Sequence, residues 1–178
     1  NACHEGCRLT VDESQSPPLL PVYSNGIASV WSVTTGKREG VAINYGDLEC
    51  LSVGLKQDRL ALLFAGAVVI VVNVRTGEQL FQVACKGNPN RLQWNPTGSH
   101  LLCDVGSLVI KGLELIDVRA ERPTATVLPR LAKSDSVYLV DKTFEVRGDI
   151  VCLKRSKVLR MGIGERKKLS YVGHVAVN

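Results

Sequence analysis

Two separate segments of this chain repeat at one spacing. Trp31-Ser-Val-Thr-Thr-Gly-Lys37 aligns with Val72-Asn-Val-Arg-Thr-Gly-Glu78. Leu51-Ser-Val-Gly-Leu-Lys-Gln-Asp-Arg-Leu60 aligns with Leu92-Gln-Trp-Asn-Pro-Thr-Gly-Ser-His-Leu101, and both offsets are 41 residues. A third copy of the first motif, Ile116-Asp-Val-Arg119, falls 44 residues after Val72, so three residues are inserted there. A period of this length marks a stack of supersecondary units, each unable to cover its own apolar faces alone.

The unit is built of strands. From Leu60 to Val72 no side chain is polar, but a membrane-spanning helix needs about 20 such residues. Asn73 and Arg75 close the run, Gly66 interrupts it, and its second half is almost pure Val and Ile. Branching at Cβ restricts these residues in a helix and suits them to a sheet. The run therefore predicts two strands joined at Ala65-Gly66-Ala67, the second apolar on both faces and covered on both sides. Thr35-Gly36 and Thr76-Gly77 place glycine where a tight connection needs positive φ. Asn95-Pro96-Thr97-Gly98 carries Asn, Pro and Gly at the positions a type I turn prefers. Each unit thus reads as a strand, a turn, a second strand, a link, a third strand ending in a Thr-Gly turn, and a fourth strand.

The endings Val30-Trp-Ser-Val-Thr-Thr-Gly-Lys37 and Val72-Asn-Val-Arg-Thr-Gly-Glu78, with Leu92-Gln-Trp-Asn-Pro-Thr-Gly-Ser-His-Leu-Leu102, resemble blades of WD-repeat β-propellers over about residues 26–119. The resemblance implies an all-β fold, a propeller or partial propeller of four-stranded antiparallel blades. The pattern departs from the family at the Trp-Asp pair, which is Trp31-Ser32, Val72-Asn73 and Ile116-Asp117, and its Gly-His occurs only at Gly173-His174. We expect an N-terminal segment over 1–22, blades over 23–128, and a divergent β-rich segment over 129–178 that would add a further blade. Val137–Val140, Phe144–Val146 and Ile150–Leu153 are its candidate strands. At this period the chain holds roughly four blades, the low end for a propeller, so an arc completed by an additional chain or partner is expected. Such an arc would leave sheet edges and apolar faces open.

By the same resemblance the chain is a non-catalytic scaffold for other proteins, with no cofactor. An Asp-x-Arg after the third strand, on successive blades, contacts the adaptor in WD-repeat substrate receptors of cullin-RING ubiquitin ligases. Asp117-Val-Arg119 matches it, and Asn73-Val-Arg75 matches it in part, so Arg75, Asp117 and Arg119 are the candidate partner-binding residues. The alternative reading has each arginine close the rim by pairing with a neighbouring acid.

The net charge of +5 is concentrated near the end of the sequence. Lys154, Arg155, Lys157, Arg160, Arg166, Lys167 and Lys168 face only Glu165 within 154–168, a local +6, so the remainder sums to −1. These seven residues are candidates for contact with nucleic acid or an acidic protein. No aromatic residue lies among them, which disfavours single-strand stacking.

Six cysteines form no dense framework, and Cys50, Cys85, Cys103 and Cys152 sit in strand-like surroundings. They read as free thiols of an intracellular protein of the cytoplasm or nucleus, and no secretory leader pattern is visible. Cys3-His-Glu-Gly-Cys7 falls short of the four ligands of a structural zinc site and reads as a local disulfide or two free thiols. Gly162-Ile-Gly-Glu-Arg-Lys167 lacks the third glycine of a phosphate-binding loop and reads as a turn. His4, His100 and His174 stand outside any recognisable catalytic motif, so no enzyme is expected. His100, following a turn, reads as an exposed loop residue.

Overall fold

The structure, a computed structural model, describes residues 18–106 and 111–128, and beyond them 143–147, 150–154, 157–162 and 170–174. Its described residues form four antiparallel sheets. The second is the plainest statement of the repeat: β4 (Cys50–Lys56), β5 (Arg59–Phe64), β6 (Val68–Asn73) and β7 (Gln79–Ala84), paired in sequence order. The third sheet repeats it with β8 (Arg91–Trp94), β9 (His100–Gly106), β10 (Lys111–Asp117) and β11 (Ala125–Val127). The first has β1 (Leu19–Ser24), β2 (Ile27–Ser32) and β3 (Arg38–Asn44). Shifted by the 41-residue period, these three fall on β5, β6 and β7. Among the described residues the first sheet therefore holds strands two to four of the unit.

The two strands predicted from the apolar run are β5 and β6, and Ala65-Gly66-Ala67 joins them. Successive side chains of β6 enter different cores, because a strand alternates its faces. Ile70 and Val72 pack with Leu19, Ala28 and Val30 of the first sheet, while Val69 and Val71 pack with Leu92, Leu101 and Ile116 of the third. Each fully buried aliphatic side chain is worth about 1.5–3 kcal/mol, so a strand buried on both faces ties three sheets together. Tyr23 and Tyr45 stack around Phe64 in the first of these cores, at centroid distances of 5.8 and 5.0 Å.

The first strands of neighbouring units lie side by side, β4 against β8. Two polar contacts fix their register: Trp94 Nε1 donates to the Gly54 carbonyl at 3.0 Å, and the Leu92 amide donates to Ser52 Oγ at 3.3 Å. Gly54 admits this approach, since a Cβ there would lie 2.9 Å from the Leu92 side chain.

The part of the chain without a clear repeat contains the fourth sheet: β12 (Thr143–Arg147), β13 (Ile150–Lys154), β14 (Lys157–Gly162) and β15 (Ser170–His174). Phe144–Val146 and Ile150–Leu153 are strands as expected. The expected strand at Val137–Val140 lies outside the described residues, as do the Cys3-to-Cys7 cluster and positions 163–167 of the expected turn, whose Gly162 ends β14. The described residues form an all-β fold of four sheets, the first three stacked in order as a partial propeller. Among the described residues no helix is long and apolar enough to cross a membrane.

Candidate functional site

The three copies of the first motif make one turn, and its chemistry explains their spelling. Ser32, Asn73 and Asp117 each stand at the end of the third strand of a unit, and each turns a side-chain oxygen onto the next turn's amides. Ser32 Oγ accepts from the Thr35 amide at 3.2 Å, Asn73 Oδ1 from Arg75 and Thr76 at 2.9 and 3.3 Å, and Asp117 Oδ1 from Arg119 at 3.0 Å. A short side chain bearing an acceptor satisfies this geometry whether it is Ser, Asn or Asp. Thr35 and Thr76 then accept from Lys37 and Glu78. The valine that follows the acceptor donates its amide to the residue preceding the second strand: Val33 to Pro18, Val74 to Asp58, Val118 to Ser99. The turns of three sheets thereby share one plan, and the arginines at issue project from two of them.

The arginines meet different partners. Arg75, 69% exposed, directs Nε to Asp58 Oδ1 at 2.9 Å, in the tight turn between β4 and β5. Arg119, 63% exposed, folds back on its own motif: Nε reaches Asp117 Oδ1 at 3.0 Å and Nη2 reaches Oδ2 at 2.9 Å. These hydrogen bonds from Arg119 bring the Asp117 carboxyl down to about 2. Hydrogen bonding to Asp58 and Asp117 raises Arg75 and Arg119 in turn. Arg75, Asp117 and Arg119 thus stand on turns of successive sheets, each engaged within its own sheet.

His100 departs from the expectation of an exposed loop residue. It opens β9 directly opposite Asp117 and is only 4% exposed. The turn before it is the one the sequence predicts, with the Gly98 amide donating to the Asn95 carbonyl at 3.0 Å and Gly98 at φ 69°. Asn95, itself buried, accepts the His100 amide on Oδ1 at 2.9 Å and donates through Nδ2 to Thr97 and Ser99. Ser99 Oγ sits 2.8 Å from His100 Nδ1, and Nε2 of His100 faces Asp117 Oδ2 at 3.6 Å and Arg119 Nη2 at 3.5 Å. The polar network missed by motif reading is therefore built by a turn that pulls the ring inward.

Burial holds the His100 imidazole below its ordinary value, and Arg119 adds to the effect while Asp117 opposes it. On acidification the unfolded chain takes up its proton first. The stability His100 contributes is full above about 6.5, the ordinary imidazole value, and is lost as pH falls through the lowered folded value. The urea midpoint should therefore drop as the pH falls below about 6.5. His100→Asn, which keeps an atom near Nδ1 for Ser99, should flatten that drop. A pH dependence identical in the variant would show that other groups cause it.

Of the basic candidates, Lys154 ends β13, Lys157 opens β14 and Arg160 lies within β14, but their side chains lie outside the described residues. Arg155, Arg166, Lys167 and Lys168 lie outside them altogether. Among the described residues no group of three or more His, Cys, Asp or Glu side chains is placed to hold a metal ion.

No protein-family model matches the sequence, and no curated protein matches it. Solved structures do match in fold. The chain is similar to the β-propeller domain of Cps50 (Swd1) from Myceliophteria thermophila, with a TM-score of 0.59 and 12% identity over 91% of this chain and 53% of that one. A chain of the mitotic checkpoint complex matches with a TM-score of 0.58 and 16% identity, over 83% of this chain and 44% of that one. BamB from Moraxella catarrhalis matches at 0.50 and 11%, over 86% and 48%. These likenesses are of fold, and the chain spans about half the length of each structure.

Proposed function

We propose that this chain is a non-catalytic protein-interaction scaffold of the WD-repeat type, one arc of a β-propeller whose open end receives further β-structure. The observation that carries this reading is the outward face of the first sheet. Pairing of Leu20 with Trp31, Val22 with Ser29 and Ser24 with Ile27 sets these side chains opposite the face that carries Leu19, Ala28 and Val30 into the core. Ile27 is 42% exposed and Trp31 39%, so an apolar strip lies open on the face of the first sheet turned away from the second. On the third sheet, the face turned away from the second carries Leu102, Leu113 and Leu115, all buried. Exposed apolar surface arranged on a sheet face marks a contact site.

The half-length match to other propellers supports the same reading, since each has as much chain again. Docking a ubiquitin-ligase adaptor through Arg75 and Arg119 would require each guanidinium to leave its aspartate, so the open face carries the proposal. That Cys50, Cys85 and Cys103 form no disulfide among the described residues is consistent with an intracellular setting, in cytoplasm or nucleus.

Light scattering after size exclusion tests the reading. The isolated chain should self-associate in the absence of a partner, and Trp31→Asp should shift it toward monomer without lowering its unfolding midpoint, because Trp31 is outside both cores. A monodisperse wild-type monomer would show that the chain covers this face itself and would overturn the proposal.

A further inference from the structure

The seam between the second and third sheets brings together the thiol of Cys85, just after β7, with Cys103 of β9 and Glu114 of β10. Cys85 follows β7, and its amide donates to the Ala67 carbonyl at 2.8 Å, which fixes the chain there. The next two amides, Lys86 and Gly87, donate to Glu114 Oε2 and Oε1 at 2.8 and 2.6 Å. Glu114 is buried and lies directly opposite Cys103 in the pairing of β10 with β9. Cys85 packs against the core cluster that contains Cys103, which brings the two thiols within interaction range. Cys103 is buried, Cys85 is half-buried, and no disulfide joins them. A reagent arriving from solvent therefore meets Cys85 first, with a second sulfur behind it.

We propose that Cys85 and Cys103 form a hydroperoxide-reactive dithiol, in which Cys85 is the attacking sulfur and Cys103 resolves the product to a disulfide joining the second and third sheets. Interaction with Cys103 lowers the Cys85 thiol below its ordinary value, against burial and the neighbouring Glu114 carboxylate, which raise it. That same interaction, with burial and the nearby Glu114 and Asp104 carboxylates, pushes Cys103 up, so of the two sulfurs Cys85 ionises the more readily. The Cys85 thiolate attacks one peroxide oxygen, the O–O bond breaks, and the departing hydroxide takes up a proton to leave as water. Cys85 is then a sulfenic acid. Cys103 attacks that sulfur, the S–O bond breaks, and the oxygen leaves as a second water carrying the Cys103 proton. Two thiols and one hydrogen peroxide thus yield one disulfide and two waters, with the sulfurs oxidised and the peroxide reduced.

The test treats the folded chain with one equivalent of hydrogen peroxide, alkylates the remaining thiols and maps the peptides by mass spectrometry. The expected product is a Cys85–Cys103 disulfide. Cys50, also half-buried but donating to the Ser52 carbonyl, is the internal reference. Cys85 should be consumed roughly 10-fold faster than Cys50, as its thiolate character demands. Cys103→Ala should leave Cys85 as a sulfenic acid that dimedone traps, and Cys85→Ser should leave Cys103 reduced. Consumption of Cys85 and Cys50 at equal rates in the wild-type chain would overturn the proposal. So would a disulfide that omits Cys103.

Discussion

Ile70→Asp should leave no soluble folded chain. Ile70 is 7% exposed at the middle of β6, paired with Leu62 on one side and Gln82 on the other, and it enters the core shared by the first and second sheets. Its neighbours there are Val30, Val53, Leu55 and Leu62, which offer a carboxylate neither a hydrogen bond nor a counter-charge. The substitution removes an apolar contribution of about 1.5–3 kcal/mol, and leaving an ionised group unpaired costs several kcal/mol more. Against a domain stability of about 5–15 kcal/mol the total is decisive. Ile70→Val, which removes one methylene, should cost about 0.5–1.5 kcal/mol and fold normally. Soluble expression and thermal unfolding followed by circular dichroism distinguish the two variants. Cooperative unfolding of Ile70→Asp near the wild-type midpoint would mean that the second sheet is not held between two others.

The same strand shows why so much of the fold was legible in the sequence. A stretch buried on both faces has no polar alternation to obscure it, and its repeat partners carry the glycines that tight turns require. Position 73 and its equivalents were legible as a pattern without their reason, because Ser, Asn and Asp look unlike one another until each is seen accepting a turn amide. Asn25-Gly26 is a readable hairpin signal one period before Gly66-Ala67; both residues take positive φ, at 50° and 75°, between β1 and β2. The fourth sheet lacks the Thr-Gly endings and so left only fragments of strand pattern.

The site was less accessible than the fold. Arg75 and Arg119 share a motif position, yet one meets Asp58 across a hairpin and the other its own Asp117, a difference set by which residue the preceding turn presents. His100 follows polar turn residues in sequence, but the side chain of Asn95 takes its amide and starts β9 with the ring inside. Cys85 and Cys103 meet only because β7 and β9 belong to adjacent sheets. Nothing local to either cysteine carries that information.

Gly40→Ala should cost about 2–4 kcal/mol, combining left-handed backbone strain with a lost contact between sheets. Gly40 lies in β3 at φ 74°, where an L residue is strained, and a Cβ there would fall 2.1 Å from the Val74 carbonyl oxygen. That oxygen is not free to move aside, because it accepts the Val41 amide at 2.9 Å and thereby links the outer strand of the first sheet to the turn after β6. Gly36→Ala provides the comparison. Gly36 has a similar φ of 66° but open space around the added Cβ, so its cost should be the backbone term alone, about 1–2 kcal/mol. Urea unfolding of both variants separates the terms, and equal losses would show that the contact at Val74 contributes nothing. The excess at Gly40 matters to function because the first sheet bears the open face with Ile27 and Trp31. A sheet loosened from its neighbour presents that face in many orientations, and ordering it on association would then weaken binding. Gly40→Ala should therefore reduce self-association while leaving every side chain of the apolar strip in place, whereas Gly36→Ala should leave association nearly unchanged.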